Sequence, residues 1–227
     1  MITVTLDIET LTPTWKPPED NPGAFPPLGK HQPIVISWLV ADTQKREFDL
    51  NAEVTEDNDA EHIALVKLGE DLRCCSRLVT WNGRGFDMPL LGMRAMAHGV
   101  PWGFWHRMRH RYENYKKALV HYDLMDQLGD QGGTRGIKLD HVCEMNGLPG
   151  KDQINGSQVG EQWAKGKCDS VIQYCAEDVL HTWLLYLRFL KTFCEKPVEP
   201  FWAITVKWAR NHDLLKRVAE KIPEVYP

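Results

Sequence analysis

Long apolar segments, paired zinc-type cysteines and a strong excess of charge are all missing from this sequence of 227 residues. The longest mainly apolar run, Ile34–Ala41, is far shorter than the roughly 20 residues that a membrane-spanning helix needs. The N-terminal segment reaches Asp7 and Glu9 too early for a secretory signal peptide. None of the six cysteines forms a C-x-x-C pair, which excludes zinc-ribbon and thioredoxin-like sites. We therefore expect a reduced, cytoplasmic protein that does not bind membranes.

The composition is that of an ordinary globular protein, with 43% hydrophobic and 26% charged residues. It excludes a disordered chain and a coiled-coil rod. The formal net charge of −4 argues against indiscriminate wrapping of nucleic acid. It is compatible with a local basic groove around a few essential carboxylates.

The order of apolar patterns along the chain predicts an α/β domain. Strands are predicted at 2–8, 34–41, 45–50 and 77–81, and the proline-rich stretch 11–30 is predicted to be a long loop. Helices are predicted at 59–73, 89–98, 122–128, 138–146, 156–165, 169–193 and 202–218. Early strands followed by helices favour one mixed β-sheet covered by helices.

Two acids lie on one face of the first predicted strand. Side chains two residues apart share a face, so Asp7 and Glu9 point away from the apolar face that carries Leu6 and Ile8. Their Cα atoms would lie about 6.6 Å apart, close enough for both carboxylates to reach one cation. The alternative is a solvated strand end with its acids in water.

A second candidate site follows the strand predicted at 77–81. Glycines let the chain turn after Asn82, and Asp87 precedes a helix that opens near Pro89. Asp87 is therefore a candidate metal ligand or, equally, a helix cap. Asn82 is a candidate substrate contact or a turn residue.

A third candidate pair lies on the helix predicted at 169–193. Residues four apart meet on one helical face, so Tyr174 and Asp178 are neighbours at the edge of an apolar stripe. The alternative is a plain Tyr–Asp hydrogen bond, and Glu177 is expected to be solvated. Oxygen-rich side chains of this kind suit Mg²⁺ or Mn²⁺ better than zinc.

Together these motifs resemble those of the DEDD-type 3′–5′ exonucleases of the RNase H-like fold. LDIET resembles their first motif, WNGRGFD the second, and YCAED the third in its tyrosine form. Segments 121–126 and 147–151 resemble a narrower group, the stand-alone exonucleases related to the proofreading domain of family-B DNA polymerases. The likeness covers residues 1–193, which leaves 194–227 as a helical extension expected to pack on that domain.

The resemblance implies a catalytic centre with two Mg²⁺ or Mn²⁺ ions. Asp7 would bridge both ions, Glu9 and Asp178 would complete one site, and Asp87 would hold the second ion. Tyr174 would orient the attacking water. The implied reaction releases nucleoside 5′-monophosphates from 3′ ends.

Substrate contacts are predicted in two places. Within the motifs they are Thr10, Asn82 and Phe86. In the basic and aromatic segment 105–117 they are Arg107, Arg109, Arg111 and Tyr112. Basic groups can track phosphates while aromatic rings stack on unpaired bases. A solvated charged helix with aromatic core anchors explains this segment equally well.

Single-stranded DNA ends are the predicted substrate, because relatedness to a DNA polymerase favours DNA by analogy. One alternative is a 3′–5′ exoribonuclease or oligoribonuclease. A second is a catalytically silent nucleic-acid-binding module, and a third is a proofreading subunit that works with replication or repair proteins.

Overall fold

A computed structural model describes residues 1–108, 121–134, 136–150 and 154–227, with residues 106–108 described by their backbone alone. Its β-sheet is formed by strands β1 Ile2–Leu11, β2 Gln32–Asp42, β3 Glu47–Val54, β4 Arg77–Thr80 and β5 His121–Asp123. The strand order is β3-β2-β1-β4-β5. Strands β1, β2 and β3 are antiparallel neighbours, whereas β4 and β5 extend the sheet in parallel with β1. The predicted mixed sheet is confirmed, and its form is consistent with an RNase H-like exonuclease.

Helices flank both faces of this sheet. The longer helices are α1 Asn58–Cys74, α2 Asp87–Ala97, α7 Cys168–Cys194 and α8 Glu199–Ala209. The shorter ones are α3 Gly103–Met108, α4 Leu124–Leu128, α5 Leu139–Met145, α6 Val159–Ala164 and α9 Lys216–Ala219. No helix in the described ranges is both long and apolar enough to cross a bilayer.

The alternation along β1 decides which residues enter the core and which face the site. Val4, Leu6 and Ile8 are buried and pack with residues of α1 and α2 on one face of the sheet. Asp7 and Glu9 lie on the opposite face, where α7 crosses the sheet. The predicted separation of apolar and acidic side chains is therefore confirmed.

Helix α7 is buried on nearly every side between Tyr174 and Leu187, because it packs against the sheet and is covered by the C-terminal helices. The prediction that Glu177 is solvated was wrong. Glu177 is 6% exposed, and its carboxylate accepts hydrogen bonds from Arg217 at 3.1 Å and Gln173 at 3.0 Å. A carboxylate removed from water needs such partners, and Arg217 comes from a segment 40 residues further along the chain.

Two predicted helices differ from the structure. The segment predicted as one helix at 122–128 begins as strand β5, whose three residues pair with β4. So short a strand shows too little alternation to be read from sequence. The helix predicted at 202–218 is broken between α8 and α9, where the His212 ring accepts a hydrogen bond from the Leu214 backbone N–H. A side chain that binds nearby backbone in this way competes with helix continuation.

Candidate active site

Three carboxylates meet where β1 crosses beneath α7. One oxygen each of Asp7, Glu9 and Asp178 lies within 4.8 Å of the other two. Asp178 is buried, whereas Asp7 and Glu9 are half-buried. Carboxylate oxygens at this spacing repel one another, and a shared cation would relieve that repulsion. The donor set is all oxygen, which fits Mg²⁺ or Mn²⁺.

Cys175 packs directly behind Asp7. Its Sγ lies 3.5 Å from both the backbone oxygen and Oδ2 of Asp7, so the thiol can donate to that carboxylate. Burial, together with the nearby negative charges of Asp7 and Glu9, raises the pKa of Cys175 well above its ordinary value. The thiol therefore stays protonated and adds no further negative charge beneath the three acids.

Asp87 lies beside this cluster rather than within it. Strand β4 stops pairing with β1 at Leu6, and the Asp87 carboxylate accepts a hydrogen bond from the backbone N–H of Ile8, the residue between Asp7 and Glu9. Asp87 is the first residue of α2, and the preceding Phe86 occupies the N-cap position without a side-chain cap bond. The carboxylate thus reaches β1 and also accepts from its own backbone N–H in the first turn of α2, so Asp87 is not the N-cap residue itself but does satisfy a donor at the start of the helix.

The charge of Asp87 depends strongly on its surroundings. Burial is the main cause that raises the pKa of this carboxyl to about 7, with the Asp123 charge adding to it and two backbone N–H bonds opposing it. The ordinary value is 3.8, so between about pH 4 and 7 the folded protein binds a proton that the unfolded chain has released. The contribution of Asp87 to the free energy of unfolding is therefore fully present below about pH 4 and is lost as pH rises to about 7.

We expect Asp87→Asn to gain stability relative to the wild type as pH rises. The neutral amide avoids placing a negative charge in a buried site, and this advantage grows from about pH 4 to about pH 7. The check is a series of melting temperatures in a metal chelator from pH 4.5 to 8. Asp169→Asn, which removes an exposed acid from α7, serves as the control. A difference between Asp87→Asn and the wild type that does not change with pH would contradict the assignment.

A tight turn between β4 and α2 positions Asp87. Asn82 has a φ of +63°, and a Cβ on Gly83 would lie 2.5 Å from the Thr80 side chain, so only glycine fits there. The buried Asp123 accepts the backbone N–H groups of Asn82 at 2.9 Å and Arg84 at 2.8 Å. Asp123 therefore holds the turn in place, and its own pKa is raised by burial. This role of Asp123 was not predicted, although Asp123 lies in segment 121–126, which resembles the stand-alone exonucleases.

A cavity of about 650 Å³ opens beside the three acids and is lined by Asp7, Asp178 and Tyr174. Asn82 and Trp81 border it at the end of β4. The remaining polar wall is formed by Lys138, Asp140, His141, Asn155 and Ser157. The side chain of Tyr174 is only 7% exposed, and its hydroxyl faces Gly156. One cavity thus combines carboxylates, a phenol and a cationic side chain, and Lys138 was not predicted because nothing local to it indicated a site.

The predicted substrate contacts have different outcomes. Asn82 lines the cavity, whereas Thr10 and Phe86 contact the ring of His31: the Thr10 hydroxyl lies 2.9 Å from Nδ1, and the Phe86 ring centroid lies 4.9 Å from that of His31. Arg107 lies in α3, where the structure describes the backbone alone. The predicted contacts Arg109, Arg111 and Tyr112 also lie outside the described residues.

Among curated proteins, none matches this sequence. A family model described as a predicted 3′–5′ exonuclease related to the exonuclease domain of PolB matches residues 23–197. The match contains Asp87, Tyr174 and Asp178 and begins after Asp7 and Glu9, which the fold brings to Asp178. The chain belongs to this family of predicted 3′–5′ exonucleases related to the exonuclease domain of PolB.

Proposed function

We propose that the protein hydrolyses the terminal phosphodiester at the 3′ end of single-stranded DNA and releases nucleoside 5′-monophosphates. The observation that carries this proposal is the meeting of Asp7, Glu9 and Asp178 within 4.8 Å at a large open cavity. A binding module has no need to crowd three acids where a polyanion must dock. The crowding makes sense if cations neutralise the acids and the phosphate together.

The carboxylates would hold two Mg²⁺ or Mn²⁺ ions. Asp7 would contribute to both positions, Glu9 and Asp178 would complete one, and Asp87 would complete the other directly or through water. Such cations stabilise the charge that develops on the phosphate and leaving oxygens and make water more acidic. Asp87 lies one hydrogen bond from the strand segment that carries Asp7 and Glu9, which fits a ligand of the second position.

Tyr174 would orient the attacking water rather than take its proton. A phenol with an ordinary pKa of about 10 is a poor base at neutral pH. Its hydroxyl can still hold water in line with the phosphorus, and Tyr174 lines the same cavity as Asp7 and Asp178. Lys138 and Asn82, in the same cavity wall, would contact the phosphates and the terminal nucleotide.

The shape of the site favours an unpaired 3′ end. The acids lie in a recess between β1 and α7 rather than on a flat surface, so a duplex end has to fray before its last phosphodiester can reach them. We propose DNA rather than RNA as the substrate, because the family is related to a polymerase that uses DNA.

The deciding experiment compares 3′–5′ degradation of matched single-stranded DNA, single-stranded RNA and blunt duplex DNA in Mg²⁺, in Mn²⁺ and in chelator. We expect single nucleotides to be released from the 3′ end of single-stranded DNA, faster than from RNA or the duplex, and no release in chelator. An oligomer blocked by a 3′-terminal phosphorothioate serves as the control for direction. Faster release from RNA would make the protein an exoribonuclease. Retention of every oligomer in a gel without cleavage would make it a binding module.

A further inference from the structure

Three aromatic rings form a cluster at the C-terminal end of β1. Phe25 stacks on His31 with ring centroids 5.2 Å apart and planes at 28°. Phe86 meets the His31 ring edge-on at 4.9 Å and the Phe25 ring at 6.0 Å. His31 is buried and Phe86 is half-buried, whereas Phe25 is 73% exposed. His31 therefore covers one face of the Phe25 ring and Phe86 lies nearby, while most of Phe25 is open to solvent.

The cluster contacts the two chain segments that carry three of the candidate metal ligands. His31 contacts Thr10, the residue after Glu9, and Phe86 is the residue before Asp87. Consecutive Cα atoms are 3.8 Å apart, so two of the cluster's supports lie one residue from candidate metal ligands. The exposed ring of Phe25, carried by the proline-rich segment, therefore lies near the end of β1 that follows Asp7 and Glu9, outside the residues that line the cavity.

The tautomer of His31 explains how this segment is fixed. Its Nε2 lies 3.3 Å from the carbonyl oxygen of Pro26, which can only accept, so Nε2 carries the proton. Nδ1 is then free to accept the Thr10 hydroxyl at 2.9 Å. Burial lowers the pKa of His31, which keeps the ring neutral and both bonds in place. Phe25 also precedes Pro26 directly, and a following proline restricts the backbone of the preceding residue.

An exposed aromatic ring held in a fixed position costs little further ordering when it receives a ligand. Aromatic rings stack on unpaired bases of any sequence, because each base has a π-face. The geometry points to Phe25, backed by His31 and Phe86, as a stacking platform for a base near the 3′ end of single-stranded nucleic acid. This inference rests on the proposed function and assigns the long proline-rich segment 11–30 a substrate-binding role.

The test compares three substitutions at Phe25 in the full chain. Binding of a fluorescent single-stranded oligonucleotide is measured by anisotropy in chelator, and KM and kcat are measured in Mn²⁺. We expect Phe25→Ala and Phe25→Leu each to weaken binding and raise KM by about tenfold, the usual effect of losing one base stack, with a smaller change in kcat. Phe25→Tyr keeps a π-face and should stay within about twofold of the wild type. Because Phe25 carries no charge, the salt dependence of binding should not change.

An abasic oligonucleotide isolates the stacking contact. Moving one abasic site through the last nucleotides should reveal a position where the wild type and Phe25→Ala bind equally. Equal binding of wild type, Phe25→Ala and Phe25→Leu to an intact oligonucleotide would overturn the platform while leaving the exonuclease intact. A Phe25→Leu variant that matches Phe25→Tyr would overturn it too, because aliphatic contact would then suffice. Absence of any cleavage by the wild type would instead refute the proposed function.

Discussion

Asp7→Asn is expected to abolish nucleotide release, with a loss of at least about 1,000-fold in kcat/KM. Asp7 is the acid proposed to serve both cation positions, and the neutral amide is a poor ligand for a hard cation. Cations contribute several kcal/mol of charge stabilisation in such reactions, and about 4 kcal/mol corresponds to about 1,000-fold in rate. The measurement is single-turnover cleavage of a single-stranded DNA oligomer in Mn²⁺.

The same substitution should not harm folding. Three carboxylates lie within 4.8 Å of one another, so removing one charge relieves repulsion in the metal-free protein. We expect the melting temperature of Asp7→Asn in chelator to equal or exceed that of the wild type. Added Mn²⁺ should raise the wild-type value, because the ion binds the folded state, and should have little effect on the variant.

Three further variants make this result specific. Asp178→Asn should behave like Asp7→Asn, because both acids belong to the cluster. Asp169→Asn removes an exposed acid from the same helix and should cleave at the wild-type rate. Tyr174→Phe should lose only about tenfold, as expected when one hydrogen bond to a positioned water is removed. Cleavage by Asp7→Asn at the wild-type rate would refute the assigned site.

Regular periodicity made the acids and the tyrosine of the candidate site predictable. The period of two along β1 separates Asp7 from the apolar residues, and the four-residue spacing on α7 places Tyr174 beside Asp178. Both rules act within one element, so no knowledge of the fold is required. That these two elements cross is a tertiary fact, for which the resemblance to a known family supplied the expectation.

The missed residues depend on contacts between distant segments. Asp123 acts by accepting backbone N–H groups 39 and 41 residues earlier in the chain, and Glu177 is buried because Arg217 reaches it. Lys138 enters the cavity wall because it is the N-cap residue of α5, a helix that packs against α7. Nothing in the local sequence of these residues distinguishes them from solvated polar side chains. A single sequence therefore predicts the acids of the site better than the residues that support them.

Residues 194–227 show the same contrast between what local pattern predicts and what depends on tertiary packing. Their helical character follows from their apolar pattern, but whether they form part of the folding unit depends on packing. Trp183 on α7 donates a hydrogen bond from Nε1 to Thr205 on α8 at 3.0 Å. Buried residues of α8 and α9 share one core cluster with α7 and the sheet. The boundary predicted between 193 and 194 stays a prediction, and the stability of the two parts can be tested together.

Trp202→Ala is expected to lower the free energy of unfolding of the whole protein by about 3–5 kcal/mol, the usual cost of removing a large buried aromatic side chain. Trp202 is 0% exposed, donates from Nε1 to the Pro223 carbonyl at 2.8 Å and lies under the Arg188 guanidinium at 5.2 Å. Because Arg188 belongs to α7, which also carries Asp178, loss of this packing should destabilise the helix that completes the acid cluster.

Urea unfolding followed by circular dichroism, with cleavage of single-stranded DNA measured on the same samples, provides the check. Phe193→Ala serves as the control, since that ring is 64% exposed and its loss should cost less than about 1 kcal/mol. A single cooperative transition at lower urea, with cleavage lost in the same transition, is the expected result for Trp202→Ala. Unfolding of the C-terminal helices alone, with cleavage retained, would show that residues 1–193 fold and act without them.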